Sequence, residues 1–202
     1  MATRPIKSIS DFKGQLVGGG ARPNLFEVQL ANIPGSANWQ GDTATAFTYL
    51  CKASSLPAST IANVDVPFRG RIFKVAGDRT IENWSVTVIN DEDFKIRNAF
   101  EEWMQLIAKL DTNIGATSPE AYMVDADVYQ LGRGGDASST DNSGNANAVL
   151  QQYKMQSIFP TNLAGIDLSY DTGDTIEEFT VEFQLQSFVP YGGVGQATIP
   201  RG

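Results

Sequence analysis

The chain has 202 residues, a formal net charge of -8, 42% hydrophobic residues and no histidine. That length fits one large domain or two small ones, and the apolar share can fill a sizeable core, which excludes a wholly disordered chain. The acidic balance, with a sequence pI near 4.5, excludes a general docking surface for nucleic-acid phosphates, and the missing imidazole removes the usual general base, nucleophile partner and metal ligand.

Residues 1–20 carry no clear period and end in "VGGG", which reads as a flexible joint freeing an N-terminal arm. These glycines are not a phosphate loop, because no Gly-Lys-Ser/Thr follows. The N-terminus lacks the apolar core of a secretory signal, and no apolar run reaches membrane-spanning length, so a soluble cytoplasmic chain without membrane insertion is expected. Asn83-Trp84-Ser85 matches a glycosylation acceptor only by chance in such a chain.

"NLFEVQLA" sets Phe26, Val28 and Leu30 against Leu25, Glu27 and Gln29, the alternation of a half-buried strand. "NIPGSANWQGDTA" is turn chemistry, and "TAFTYLCKASSLP" predicts a further extended run that stops at Pro57. Cys51, the only cysteine, reads as a small core residue rather than a reactive thiol, and it has no partner for an internal disulfide. "ANVDVPFRGRIFKVAGDRT" predicts two short strands broken at Pro67 and Gly70, and "NWSVTVIND" a strand with Trp84, Val86 and Val88 on one face. Gly77-Asp78 suits a tight hairpin or bulged turn joining the two runs, so that Val75 to Asn90 forms one hairpin.

From about Glu92 to Leu110 the period lengthens to about 3.6, with Ile96, Phe100, Trp103, Met104, Ile107 and Leu110 on one stripe of an amphipathic helix. Asn90 or Asp91 is its expected N-cap, with Glu92 and Asp93 in the first turn. Asp78, Glu82, Asp91, Glu92 and Asp93 could instead form a carboxylate site, but acid–base pairs need a cleft and differing environments that nothing here supplies.

"AYMVDADVYQLG" and "AVLQQYKMQSIFP" predict an antiparallel pair separated by the low-complexity loop 132–147, within which Arg133 to Asp136 reads as plain loop. "IEEFTVEFQLQSF" alternates Phe179, Val181, Phe183 and Leu185 with Thr180, Glu182, Gln184 and Gln186. After it, 189–202 is Gly- and Pro-rich and reads as a C-terminal arm. The sum is a mainly β chain, with antiparallel sheets in a sandwich or barrel-like domain and one covering helix, and a single domain over 1–202.

"ARPNLFEVQL", "CKASSLPAST", "VPFRGRIFKVAGDRTIENWSVTVINDE" and "IFPTNLAGIDLSYDTGDTIEEFTVEFQL" together resemble the tail tube proteins of contractile-tailed, myovirus-type bacteriophages. The resemblance spans roughly Ala21 to Leu185, and its most specific run is Val66 to Glu92. It implies a non-enzymatic structural protein of the virion tail, assembled in the host cytoplasm. Its fold would be two packed antiparallel sheets with a flanking helix, giving strands to an inter-subunit barrel. The implied hexameric rings stack into a hollow tube with sheath, baseplate and tail terminator proteins as partners, and double-stranded DNA passes through the lumen without specific binding. The chain departs from shorter family members at "PGSANWQGD", at Gly132–Ala146 and after Phe188.

Within that resemblance, closing strands across subunits removes exposed edges, and head-to-tail stacking propagates a filament. A negatively charged lumen avoids holding the genome, so Asp125, Asp127 and Glu182 are candidate lumen-facing acids. Arg71, Asp78 and Arg79 are candidate inter-subunit contacts, against the alternative of ordinary surface charge. No cofactor, metal or catalytic residue is expected. The alternative assemblies are an extracellular contractile injection system tube and a tube-initiating baseplate protein of the same fold. Two other classes compete with these: a carboxylate glycosidase, for which no motif is present, and a binding module, for which Trp39 is the aromatic residue left available.

Overall fold

The computed structural model describes residues 8–16, 20–132, 149–171 and 173–191. Most of the 132–147 loop, with Arg133 to Asp136, lies outside the described residues, as does most of the 189–202 arm. The chain divides into two compact units. The larger takes Val28–Val128 and Tyr153–Val189, and the smaller takes the remaining segments.

The elements run α1 (Ile9–Gln15), β1 (Phe26–Leu30), α2 (Gly41–Leu50), β2 (Cys51–Ser54), β3 (Ser59–Phe68), β4 (Arg71–Ile81), β5 (Trp84–Ile89), α3 (Lys95–Ile107), β6 (Val124–Leu131), β7 (Val149–Leu163), β8 (Glu178–Gln184) and β9 (Ser187–Tyr191). The strands form a sheet in the order β1-β6-β7-β8-β5-β2, with β9 also on β7, and a separate two-stranded sheet of β3 and β4. The protein is therefore mainly β, and among the described residues its large sheet is not closed into a barrel.

The alternation read from the sequence sets the core of the larger unit. Trp84, Val86 and Val88 of β5 and Phe179, Val181 and Phe183 of β8 are buried on one face, in antiparallel register with Trp84 opposite Phe183 and Val86 opposite Val181. Helix α3 covers that face: Phe100 lies 5.9 Å from Phe183 and 6.4 Å from Phe179, and Trp103 lies 6.0 Å from Phe183. Each such side chain contributes roughly 1.5–3 kcal/mol by leaving water. Trp84 and Trp103 satisfy their ring N–H groups on Ser54 Oγ at 2.9 Å and the Tyr122 carbonyl at 2.7 Å.

Several local expectations are corrected. The run expected to be extended before Pro57 is a helix up to Leu50, because Thr43 and Phe47, one turn apart, are both buried and Phe47 packs 5.9 Å from Phe100. Tertiary contact there overrides a pattern that fits either period. Trp39 is buried against Phe47 at 5.6 Å, so it cannot serve as an exposed binding platform.

Helix α3 starts at Lys95 behind Phe94, whose φ of 52° is left-handed, and it has no side-chain cap. Asn90 does not cap it, because the helix begins at Lys95 with Phe94 in the N-cap position; the Asn90 amide instead donates to the Glu177 carboxylate at 3.0 Å and its N–H to the Glu177 carbonyl at 2.8 Å. Asp91, Glu92 and Asp93 are exposed residues ahead of the helix, and Leu110 lies beyond its end and is exposed. A short helix, α1, stands inside the segment read as aperiodic. It is nucleated by a capping box in which the Ser8 and Asp11 side chains satisfy each other's backbone N–H groups.

The largest correction concerns the hairpin expected over Val75–Asn90. β4 runs unbroken through Gly77-Asp78 and pairs with β3, while β5 pairs with β2 and β8. The turn is Arg69-Gly70, with φ of 45° and 81°, the two left-handed residues that a tight two-residue hairpin needs. Pro67 does not break β3, because it lies next to the turn-closing Phe68–Arg71 pair, where its missing N–H would face outward. Gly77-Asp78 form a bulge in β4: Asn63 pairs with Ala76 and Ile61 with Arg79, leaving one extra residue in β4. A Cβ at Gly77 would meet the Ala62 carbonyl oxygen and Val64 Cγ2 at 3.1 Å, so a larger residue there requires these neighbours to give by a few tenths of an ångström.

Candidate assembly surface

Every residue of β3 and nearly every residue of β4 is exposed. Such a two-stranded ribbon is marginal alone in water. Its cross-strand pairs sort the side chains onto two faces, since directly opposed residues point the same way. One face carries Val64 opposite Val75, Val66 opposite Phe73, and Phe68 opposite Arg71. The other carries Asp65 opposite Lys74, an ion pair at 3.4 Å, with Asn63 donating to Asp65 at 2.9 Å.

The apolar face is open: Val64, Val66, Phe68, Phe73 and Val75 are 43–66% exposed. The Arg69 guanidinium sits 5.4 Å over the Phe68 ring, which stiffens the tip. A long, apolar, unpaired ribbon is a pairing liability unless another surface covers it. This face was not singled out from sequence. Its trace is the alternation of Val64, Val66 and Phe68 in a segment with no strand left to bury it.

Arg71, Asp78 and Arg79 all lie on β4, exposed and without an ion-pair partner among the described residues. They do not converge. Arg71 and Asp78 are seven positions apart, about 23 Å along an extended strand, and the bulge turns Arg79 to the face opposite Arg71.

The second surface is the face of the large sheet that α3 leaves uncovered. Asp125 and Asp127 of β6 alternate with buried Ala126 and Val128, and Glu182 of β8 sits between buried Val181 and Phe183, opposite Ser85. All three acids therefore point away from the core, half-exposed. Thr87 and Thr180 hydrogen-bond across the same face at 3.1 Å. Asp125 is also tied into its own subunit: it pairs with Lys154 at 3.2 Å and accepts the Ser157 N–H at 3.0 Å. Ser157 has a φ of 53°, so this carboxylate holds a left-handed kink in β7.

Cys51 is buried at the start of β2, and burial pushes its thiol from an ordinary 9.0 up to about 12. Asp78, Glu82 and Asp91 to Asp93 lie exposed on β4, on the link to β5 and ahead of α3. Among the described residues no group of three or more acids or thiols is arranged to hold a metal ion, and no helix is long and apolar enough to cross a membrane.

A family model described as phage tail tube protein matches residues 21–190. The chain belongs to the phage tail tube protein family. It is 32% identical over 168 residues to the tail tube protein gp19 of Enterobacteria phage T4, an alignment covering 83% of this chain and 90% of that one. The fold is shared more widely. The anti-feeding prophage tube-terminating cap matches with a TM-score of 0.54 at 15% identity, covering 85% of this chain and 90% of that chain. A chain of the sheath–tube complex of an extracellular contractile injection system matches with a TM-score of 0.51 at 14% identity, covering 92% and 98%. As a family member the chain is a structural tail tube protein, and its mainly β fold holds two separate antiparallel sheets.

Proposed function

We propose that the chain forms hexameric rings that stack head to tail into the hollow tube of a contractile tail, within a sheath and between baseplate and terminator proteins. The observation that supports this reading is the β3–β4 ribbon, whose apolar face has no cover among the described residues and is suited to burial by a neighbouring subunit. The half-exposed face with Asp125, Asp127 and Glu182 lines the lumen in this reading, and double-stranded DNA passes an acidic wall that does not hold phosphates. The chain acts as scaffold and conduit rather than as an enzyme, and it is assembled in the host cytoplasm.

Negative-stain electron microscopy of the purified chain at high concentration, beside size-exclusion chromatography, tests the assembly. Rings or hollow tubes are expected, and a uniform monomer even with baseplate extract added would reject the reading. A helical reconstruction placing Asp125, Asp127 and Glu182 on the outside would reject the lumen assignment alone. For Asp78 and Arg79, Arg79→Glu is expected to weaken polymerisation, and unchanged tube lengths would remove that pair from the interface.

A further inference from the structure

A second exposed surface lies in the loop between β7 and β8. There a concavity of about 720 Å³ is lined by Gly165–Tyr170 and Thr175–Glu178. Leu168 is 80% exposed, Ile176 75% and Tyr170 fully exposed, so the apolar lining has no cover among the described residues. From Gly165 to Glu178 the chain has five acids, Asp167, Asp171, Asp174, Glu177 and Glu178, and no lysine or arginine. Glu178 is held by Lys52 at 2.7 Å and Glu177 by Asn90 at 3.0 Å, whereas Asp167 has no cationic partner among the described residues.

The tip of the β3–β4 ribbon has the opposite character. From Phe68 to Ile72 it carries Arg69 and Arg71 and no acid, with Phe68 66% and Ile72 64% exposed. The two-residue turn at Arg69-Gly70 and the guanidinium over the Phe68 ring make it a stiff cationic and aromatic wedge. Its groups match those of the concavity, since a guanidinium pairs with carboxylates and stacks on an aromatic ring, and Phe and Ile side chains bury against Leu168 and Ile176.

We infer that the ribbon tip of one copy seats in the β7–β8 concavity of the next copy, with Arg69 and Arg71 meeting Asp167 and Tyr170. Charge complementarity selects this occupant over another acidic surface of the same chain. Two different patches on one molecule that fit each other give a head-to-tail contact that does not close on itself, the kind that extends a stack. The pre-shaped tip also reduces the ordering cost of docking. This inference rests on the assembly reading above and names the receptor for the ribbon.

The test uses the full-length chain and two charge reversals, Arg71→Glu and Asp167→Lys, each at an exposed position. Each variant alone is expected to assemble at least about tenfold less than the unchanged chain at equal concentration. An equimolar mixture of the two should recover tubes, because every tip then finds a concavity of opposite charge. Single variants that assemble like the unchanged chain, or a mixture that stays unassembled, overturn the pairing.

A readout independent of charge is disulfide trapping between Arg69→Cys and Leu168→Cys chains, both carrying Cys51→Ala. Linked dimers are expected in oxidised assemblies, and tubes without links count against the contact. An unchanged chain that stays monomeric throughout defeats the assembly reading and this pairing with it, so the two failures are distinguishable.

Discussion

Asp125 does two jobs at the scale of one residue. It stands on the half-exposed sheet face, and it holds the kink at Ser157 through a backbone N–H that would otherwise lose its acceptor. Asp125→Ala should therefore lower stability by about 1 kcal/mol, read as a shifted urea midpoint with an unchanged slope, and Ser157→Gly in that background should recover part of the loss. No shift in Asp125→Ala would mean that water replaces the carboxylate. Cys51 makes the opposite case, a group whose environment silences it. Its folded thiol titrates near 12 rather than 9.0, so the folded state keeps a proton that the unfolded chain loses. Its contribution to stability is complete below about pH 9 and is lost as pH rises toward about 12. A thiol reagent at pH 8 should leave the native protein unlabelled and react only in denaturant.

At the scale of elements, α3 and β8 are mutually dependent. Phe100 touches Phe47, Trp103, Phe179 and Phe183 at ring separations of 5.9–6.4 Å, joining two helices to the sheet. Phe100→Ala should cost about 3–5 kcal/mol, measured by denaturant unfolding. The β3–β4 ribbon behaves differently, because it buries almost nothing in its own chain. Phe73→Asp or Val66→Asp should leave the melting temperature of the monomer nearly unchanged while abolishing tubes in electron micrographs. A melting temperature that collapses with the substitution would show that the ribbon's apolar face is core after all.

The whole molecule combines a covered sheet face, an uncovered polar face and an apolar ribbon left open. Under the tube reading, the acids of the polar face determine how the conduit treats DNA. Replacing Glu182 by Lys places a cation on that face, and tubes of this variant should co-sediment with double-stranded DNA at low salt where unchanged tubes do not. Equal DNA retention by both would argue that β8 does not face the lumen.

The strands with strict alternation, β1, β5 and β8, and the apolar stripe of α3 were legible from residues alone, because one buried face forces period two in a strand and about 3.6 in a helix. The buried Cys51 was legible from residue type instead, since a lone free cysteine mostly packs as a small hydrophobe. What failed lay where local patterns are ambiguous. Gly41–Leu50 fits strand or helix, and only packing of Phe47 on Phe100 selects the helix. Gly77-Asp78 signals a turn or a bulge equally well, and only the pairing of β4 with β3 rather than β5 decides it. The N-cap of α3 was missed because the helix begins only at Lys95, behind a left-handed Phe94, which local patterning does not signal. The sequence by itself determined the family and the inward-facing side chains, since both rest on residue order and periodicity. Strand partnership, the face on which Arg79 emerges and the open apolar ribbon were decided by the tertiary structure, because each depends on register between segments that local chemistry does not specify.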